Sequence, residues 1–368
     1  MPMRITRVHA WHVRMRRRVR LTTSYGATAE SVTVVAALDT DQGLTGFGQT
    51  TSAAPWYGES AEAIMAQIER YLGPAILGRS PLDIEALVPV LDRGLPGALY
   101  AKSAIEFALW DLKGKALGVP VYQLLGGRAQ EGLHLHGFVH HGTVDEMVAM
   151  THQQIREGWV ILKMKIGMNP AEDAARFAAV REAAGGRAAF QLDGNTGYSL
   201  GDALPALRAM ERLGGVAVFE QPVRSLDGMV RLAQALETPL MADELLNTPE
   251  DAFQIARRRA AHVFHMKLHK FGGLLRAKRI AAVAEAAGIV LSVAPYTDIE
   301  LAAAAHFAAS TPNATWPAGF TPMHDSILSD PLEVIGQQVR PPERAGLGVE
   351  VDLARVRAAA RQAISVTA

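Results

Sequence analysis

The pattern of hydrophobic and polar positions changes character near residue 125. Before that point, alternation typical of strands covers residues 5–14, 33–39 and 44–48. Helical spacing follows at residues 61–72 and 100–117, and Gly118 and Pro120 end the second helix as a C-terminal stop does. The pattern therefore predicts a first α+β domain over residues 1–125.

After residue 130, short runs rich in strand-forming residues alternate with longer helical stretches. The runs lie at residues 134–139, 160–166, 188–192, 216–219, 240–242, 263–266, 289–293 and, more weakly, 314–316. Repeated alternation of this kind indicates parallel βαβ units, and eight strands predict a closed barrel over residues 126–344. An open doubly wound sheet is the alternative, but no strand is followed by the GxGxxG pattern of dinucleotide binding. We expect the tail, residues 345–368, to complete the first domain.

Composition narrows the classes of function. The 37 basic and 37 acidic residues balance, so nothing favours nucleic acid as a partner. Cysteine is absent, which excludes disulfides, thiolate metal sites and a cysteine nucleophile. No apolar run is long enough for a membrane span, and the first residues do not resemble a signal peptide, so we expect a cytoplasmic protein.

One cluster of positive charge interrupts this balance. It consists of Arg14, Arg16, Arg17, Arg18 and Arg20, which partly alternate with apolar residues. We interpret it as the solvated face of a strand rather than an anion-binding patch.

Ionisable residues stand where five consecutive predicted barrel strands end. They are Lys163 and Lys165, Asp193, Glu220, Asp243, and His265 with Lys267. From Lys165 to Lys267 the separations are 28, 27, 23 and 24 residues, which is one βα unit each time. A single acid at a strand end is commonly a helix cap, but five in register predict one site at the carboxyl end of the barrel.

Three neighbouring carboxylates repel one another unless a cation lies between them. Oxygen ligands without cysteine or histidine suit a hard ion, so Asp193, Glu220 and Asp243 are predicted ligands of Mg²⁺, with Mn²⁺ as a substitute. A zinc site would recruit histidine more readily. We place His265 in the packed barrel interior below Lys267.

The lysines are predicted to supply the acid–base chemistry. Strands two and six of an eight-strand ring lie on opposite walls, so Lys165 and Lys267 would face each other across the cavity. Alternation points Lys163 and Lys165 the same way. Adjacent ammonium groups and a nearby metal would lower a lysine pKa toward the range useful for a base.

These residues resemble the motifs of the enolase superfamily, and within it the muconate-lactonising subgroup of the mandelate racemase/muconate lactonising enzyme family. The resemblance rests on Lys163-Met-Lys165, the segments around the three acids, Lys267 followed by Gly272-Gly273, and residues 104–127 and 346–349. It covers nearly the whole chain. It implies an α+β capping domain over a (β/α)₇β barrel and a base of lysine with Mg²⁺, as is established for enolase-type sites.

The resemblance also implies which residues surround the substrate. Two loops of the capping domain, near residues 21–27 and 50–57, would close the site, with Trp56 and Tyr57 either contacting substrate or packing at the domain interface. Asn195, Glu244 and Trp316 are further candidates. Asp298 either holds a cation or caps a helix. Trp316 and Phe320 indicate a flat or apolar substrate.

The function expected is a metal-dependent isomerase acting on a small carboxylate, either a cycloisomerase or a racemase or epimerase. Within the family that the chain resembles, mandelate-racemase-type members use a histidine at the end of strand seven with an aspartate on strand six, and this sequence has neither. Dipeptide epimerases of the subgroup carry an Asp-x-Asp at the end of strand eight to bind an ammonium group, and this sequence has none there. A lyase that eliminates water at the same site is the alternative, and a catalytically inactive binding protein is a remote one. Family members are commonly homo-oligomers, so we expect one here.

Overall fold

The structure, a computed structural model, describes residues 3–23, 26–52, 54 and 58–367, and for residues 19–23 and 26–27 only the backbone is described. Four antiparallel strands form a first sheet in the order β13-β1-β2-β3. Eight parallel strands, β4 to β11, follow one another around a barrel. The prediction of an α/β fold with a TIM-like barrel and an α+β capping region is confirmed.

The first sheet and its helices occupy the start of the chain. The strands are β1 (Ile5–Thr23), β2 (Gly26–Thr40) and β3 (Thr45–Thr51). The helices are α1 (Ala61–Gln67), a π-helical turn (Ile68–Leu72), α2 (Gly73–Ile76), α3 (Ile84–Gly94), α4 (Leu99–Leu117) and α5 (Val121–Leu124).

The first two strands are longer than the hydrophobic pattern predicts. The backbone pairs continue to Thr23 and Gly26, so the described residues of the expected loop, 21–23 and 26–27, lie on the paired strands of a β1–β2 hairpin. Polar residues hide this extension, because strand alternation is hard to recognise where both faces carry arginine and threonine. The hairpin consequently projects beyond the sheet toward the barrel, where Arg17 bridges to Met323.

The barrel strands and helices alternate as predicted. The strands are β4 (Leu133–Val139), β5 (Ile161–Lys165), β6 (Ala189–Asp193), β7 (Val216–Glu220), β8 (Leu240–Ala242), β9 (Val263–Met266), β10 (Val290–Val293) and β11 (Ala318–Gly319). The helices are α6 (Val144–Arg156), α7 (Pro170–Ala184), α8 (Leu200–Leu213), α9 (Leu226–Ala235), α10 (Pro249–Arg257), α11 (Leu274–Ala286) and α12 (Asp298–Ala309), with a 3₁₀ turn at Leu268–Phe271.

The eighth strand lies later in the chain than predicted. Ala318 and Gly319 pair in parallel with β4, whereas Trp316 makes an isolated bridge to Ser292 of β10. Pro317 stands between the two contacts and cannot donate to a ladder, which splits the closing strand. The expectation of a strand at residues 314–316 was therefore wrong in position, although the barrel does close.

The last elements return to the first sheet. Strand β12 (Gln338–Val339) pairs with β4, helix α13 (Leu353–Ala359) follows, and β13 (Ala360–Thr367) runs antiparallel to β1. Against the other edge, β3 packs on α4 so closely that a Cβ at Gly48 would lie 1.9 Å from the carbonyl oxygen of Ala104. The division of the chain at residue 125 stays a prediction.

Helix starts follow from local capping chemistry. Thr143 and Glu146 form a reciprocal capping box at α6, and Thr248 and Asp251 form another at α10. Among the described residues no helix is long and apolar enough to cross a lipid bilayer.

Candidate active site

Parallel strand register brings the predicted ionisable residues to one end of the barrel. Lys165 pairs with Asp193, and Asp193 pairs with Glu220, across β5, β6 and β7. Asp243 directly follows β8 and Lys267 directly follows β9. The three carboxylates are 0–1% exposed, so they form a buried charged cluster rather than a set of solvated helix caps.

The lysines of β5 contact two of these carboxylates. The Lys163 Nζ lies 2.8 Å from Asp193 Oδ2 and 2.5 Å from Glu220 Oε2. Lys165 donates to Asp193 and, at 2.6 Å, to Asn195 Oδ1. Both side chains therefore point inward from one strand face, as alternation predicts.

The opposite wall holds two further lysines. Lys267 forms an ion pair with Asp243. Lys270, on the 3₁₀ turn after β9, donates to the Asp243 backbone carbonyl at 2.5 Å and lies 3.2 Å from Asp243 Oδ1. The sequence reasoning missed Lys270, because its inward direction depends on a turn that no strand periodicity predicts.

The charges shift one another's protonation. Burial raises the pKa of Glu220, and the adjacent Asp193 carboxylate raises it further. Burial alone would raise the pKa of Asp193, but Lys163 and Lys165 outweigh it and hold that pKa well below the usual range. Burial alone would likewise lower the pKa of Lys163, yet the two carboxylates raise it above its ordinary value. The expected lowering of a lysine pKa assumed a nearby metal ion, and for Lys163 the contacts with the two carboxylates act in the opposite direction.

A second layer of side chains supports the carboxylates from below. Gln191, two residues before Asp193 on the same strand face, donates to Glu220 Oε2 at 2.6 Å. Trp316 donates its indole N–H to Gln191 Oε1 at 2.9 Å. Trp316 also packs against Val218, Met241 and Val263. Trp316 thus lies below the carboxylates, and its contact with substrate stays a prediction.

Asn195 and Glu244 connect the two walls. Asn195 accepts from Lys165 and donates to Glu244 Oε1 at 3.0 Å. Burial, with the nearby Asp243, raises the pKa of Glu244 to about 7. Asn195 and Gln221 adopt positive φ angles of 41° and 35°. Left-handed backbone at non-glycine residues is concentrated at functional sites, because the surrounding contacts must enforce it.

Asp298 has a structural role that differs from both expectations. Its carboxylate accepts from Ser326 Oγ at 2.6 Å and from the Ile327 backbone N–H at 3.3 Å. The residue that caps α12 is Thr297. Tyr57, and Trp56 beside it, lie outside the described residues.

The donor set fits a cation. Glu220 Oε1 is buried and accepts no hydrogen bond from any described residue, which is costly for a carboxylate unless a positive ion lies beside it. Ligand atoms of Glu220, Asp243 and His265 all lie within 4.8 Å of one another. His265 is buried, with Nδ1 3.2 Å from Ser292 Oγ, and burial lowers its pKa well below the usual range. It is therefore a neutral imidazole beside the acids.

Asp193 is not one of the three residues of that group. Its Oδ2 is shared by Lys163 and Lys165 in this structure. The sequence placed His265 in the packed interior, which is right for its burial, but it did not predict its nearness to two acids. Strand alternation was the available signal, because His265 lies two residues before Lys267 on the same face.

The fold is that of barrel enzymes, and the buried acid–lysine cluster lies at the carboxyl ends of the strands, where such enzymes have their active sites. Residues 5–126 match the family model for the mandelate racemase / muconate lactonizing enzyme N-terminal domain, and residues 146–356 match the enolase C-terminal domain-like model. The chain belongs to this family of the enolase superfamily.

Several relatives are similar over nearly their whole length. Muconate cycloisomerase 1 of Rhodococcus opacus is 34% identical over 90% of this chain and 91% of its own. The N-succinyl-L-Arg/Lys racemase of Bacillus cereus is 32% identical over 95% of this chain and 96% of its own. The crystal structure of that racemase has a TM-score of 0.94 at 30% identity, covering 99% of this chain and all of its own.

An epimerase is among the similar proteins as well. The L-Ala-D/L-Glu epimerase of Bacillus subtilis is 34% identical over 88% of this chain and 89% of its own. Its substrate-liganded structure has a TM-score of 0.89 at 32% identity, covering 94% of this chain and 98% of its own. All three relatives are named as isomerases.

Proposed function

We propose that this protein is a divalent-metal-dependent isomerase that moves a proton at the carbon next to a substrate carboxylate. The observation that carries the proposal is the placement of lysines on opposite walls of one buried carboxylate cluster. Lys165 extends from β5 and Lys267 follows β9, four strands away around the barrel. A carbon held between them can lose a proton to one lysine and receive one from the other.

Asp193, Glu220 and Asp243 would hold the metal, with Mg²⁺ the ion we propose and Mn²⁺ a substitute. When bound, the ion would supply the positive charge that binds a substrate carboxylate and makes its α-proton more acidic. His265 is close enough to Glu220 and Asp243 to influence which ion is preferred. Imidazole favours softer ions than carboxylate does, so metal preference is part of the test.

The lysines divide into two kinds. Lys165 and Lys267 keep 20% and 13% of their side chains exposed, so they can reach a substrate. Lys163 is more deeply buried between Asp193 and Glu220, and we assign it an electrostatic role rather than proton transfer. Asn195 orients Lys165 by accepting its hydrogen bond. In racemisation both exposed lysines would move protons, whereas in cycloisomerisation Lys165 would do so and Lys267 would act by its charge.

The substrate is proposed to be a small carboxylate of the kind named for the relatives, a muconate or an N-acyl amino acid. A free dipeptide ammonium is disfavoured, because Phe320, Thr321, Pro322 and Met323 after β11 carry no carboxylate. The next acid, Asp325, is paired with Arg16 at 2.8 Å.

Incubation in D₂O with Mg²⁺ tests this proposal. The purified protein is offered a library of N-acyl amino acids, betaines and muconate-like diacids, and deuterium at the α-carbon is measured by NMR. Inverted, deuterated substrate or a lactone product supports the isomerase. Loss of water without either product would instead favour the lyase alternative.

Metal titration separates the enzyme from an inactive relative. We expect Mg²⁺ to raise the melting temperature of the wild type, because ligand binding to the native state stabilises it. The Glu220→Gln variant should lose most of that shift. No shift in the wild type, together with no exchange on any library member, would contradict the proposal. Homo-oligomerisation and a cytoplasmic location stay predictions.

A further inference from the structure

A cavity of about 150 Å³ lies between the β1–β2 hairpin and the mouth of the barrel. Its lining includes Arg17 and Ser31 from the hairpin, and His265, Tyr296 and Thr297 from the barrel. His265 also approaches the acids Glu220 and Asp243. The cavity is therefore next to the candidate metal site, on the side that the hairpin covers.

Backbone contacts hold the hairpin over this cavity. Arg17 bridges to Met323, the Arg18 N–H donates to the Pro322 carbonyl at 3.3 Å, and the His324 N–H donates to the Arg16 carbonyl at 2.9 Å. The Arg16 side chain adds a bidentate pair with Asp325, with contacts of 3.0 and 2.8 Å. Position 17 is thereby fixed relative to the barrel, independently of any ligand.

Strand alternation separates Arg17 from the arginines around it. Arg14, Arg16 and Arg18 are exposed, whereas Arg17 is partly buried on the face that also carries Val13 and Met15. The interpretation of the whole cluster as one solvated face is therefore wrong for Arg17. One cation of the cluster faces inward, toward the site.

This inward guanidinium has no countercharge among the described residues. Its Nε donates to the Glu30 carbonyl at 3.3 Å, while the Glu30 carboxylate pairs with Arg14 instead. Burial lowers the pKa of Arg17, and the Tyr296 hydroxyl offsets only part of that effect. A partly desolvated cation without an anion is unfavourable, so the site is built for an acid that arrives from outside.

Ser31 gives a second and independent indication. Its side chain is 2% exposed, and its Oγ has no hydrogen-bond partner in the described parts of the chain. Buried hydroxyls are nearly always hydrogen-bonded in native proteins. Ser31 lines the same cavity as Arg17, so a hydroxyl without a hydrogen-bond partner and a guanidinium without a countercharge among the described residues lie in the same place.

We propose that Arg17 and Ser31 bind a second carboxylate of the substrate, at the end remote from Asp193, Glu220 and Asp243. This inference rests on the proposed function, since it assumes that the first carboxylate lies at the metal. One guanidinium and one hydroxyl match the two oxygens of a carboxylate, and arginine binds that group bidentately. The preferred substrates are therefore dicarboxylates, and substrates with a cationic remote end are excluded from this cavity.

Binding of linear dicarboxylates tests the subsite without requiring turnover. Succinate, glutarate, adipate and pimelate are compared with the monocarboxylates of equal length by calorimetry, in the presence of Mg²⁺. The series spans several separations between the two charged ends. We expect at least one dicarboxylate to bind the wild type about 10- to 100-fold more tightly than the monocarboxylate of equal length. A hydrogen bond between charged groups contributes a free energy of that order.

Variants of the hairpin test which residue causes the preference for dicarboxylates over monocarboxylates. Arg17→Gln should remove it while leaving monocarboxylate affinity unchanged, and Arg17→Lys should restore part of it. Arg14→Gln is the matched control, because Arg14 lies on the outward face of the same strand, and it should keep the full preference.

The outcomes distinguish the two proposals. Equal binding of both series at every length, or a preference that survives Arg17→Gln, overturns the dicarboxylate subsite. If Mg²⁺-dependent monocarboxylate binding and α-proton exchange persist in that case, the proposed function stands. If no carboxylate binds with Mg²⁺ and no library member exchanges its α-proton, the proposed function fails and the subsite with it.

Discussion

The two halves of the barrel mouth differ in what they contain. The half formed by β5 to β9 holds the three acids, each paired with at least one of the four lysines. The half formed by β10, β11 and β4 holds open space instead: the cavity beside Arg17 and another of about 880 Å³ lined by residues such as Phe138, Phe320 and Met323. From this difference we infer that one part of the barrel mouth carries the reaction chemistry and another part selects the substrate. We call these parts the charged half and the open half.

In the charged half, replacing the lysines proposed to transfer protons should have the largest effect on activity. Lys165→Ala and Lys267→Ala should each lower the rate of α-proton exchange by about 10²–10⁴, because general acid–base catalysis contributes that much. Exchange measured by NMR in D₂O checks this, with binding followed separately by calorimetry. Lys113→Ala, outside the site, is the control. An unchanged rate of exchange in Lys165→Ala would contradict the proposal that Lys165 transfers the proton.

Removing Lys270 would test whether the charged half depends on its lysines for stability. Lys270→Met leaves the buried Asp243 with less positive charge, and breaking a buried ion pair costs about 3–5 kcal/mol. We expect the free energy of unfolding in EDTA to fall by that order, and added Mg²⁺ to recover part of it by taking the place of the lost charge. Denaturant titration with and without Mg²⁺ measures both. An equal loss in the two conditions would argue against competition between lysine and metal.

Helix α12, which follows β10, contains a buried histidine that should make stability sensitive to acid. His306 on α12 accepts from the Tyr122 N–H at 3.2 Å and lies 3.1 Å from the Leu347 carbonyl, and burial lowers its pKa from 6.5 to about 4. Protonation of His306 is unfavourable in the folded protein. The contribution of the neutral histidine to the free energy of unfolding is therefore intact above pH 6.5 and is lost as pH falls toward 4.

The loss from His306 should reach about 3 kcal/mol, because each pKa unit corresponds to 1.36 kcal/mol. Denaturant titrations at pH 7, 5.5 and 4 measure it. The His306→Gln variant, although less stable at pH 7, should show a shallower decline over the same range. Parallel declines in the two proteins would show that other groups govern acid sensitivity.

Asn195 gives a finer test of how Lys165 is held. Asn195→Ala removes the acceptor for Lys165 and the donor to Glu244. We expect kcat to fall about 10- to 100-fold with little change in KM, since misplacing a catalytic group by a small distance has an effect of this order. Steady-state kinetics on an active library member measures kcat and KM for the variant and the wild type. A change confined to KM would mean that Asn195 binds substrate instead.

The smallest effect is expected where the hairpin joins the open half. Asp325→Asn removes the charge partner of Arg16 on the surface, so stability should change little. Loosening the hairpin should raise KM a few-fold for dicarboxylates and leave kcat unchanged. Kinetics on a dicarboxylate and a monocarboxylate pair measures this. A fall in kcat would mean that the hairpin also positions the charged half.

The charged half was predictable because it follows two simple periodicities. One βα unit separates each strand-end residue from the next, and two residues separate the side chains on one strand face. These rules place Lys163, Lys165 and the three acids without any structure. Lys270 escaped them because it lies on a 3₁₀ turn, where neither period applies.

The open half was predicted less well for physical reasons. The closing strand is two residues long and split by Pro317, so it has almost no hydrophobic pattern. Trp316 was a candidate from its chemical character alone, and the hydrogen bond from its indole N–H to Gln191 had no signal in the sequence. Arg17 was indistinguishable from its neighbours in sequence, because the face to which a strand residue belongs depends on where the partner structure lies.

The pairing of β1 with β13 has a consequence for how the chain is made. Arg7 pairs with Thr367, so the first sheet joins residues from the two extremes of the described chain. During synthesis at about 5–20 residues per second, β1 is available for tens of seconds before β13 emerges. The barrel can form in that interval, whereas the edge of β1 that β13 covers stays open to other strands. An early-folding barrel followed by late closure of the sheet would make this edge the point most exposed to chaperones and to aggregation.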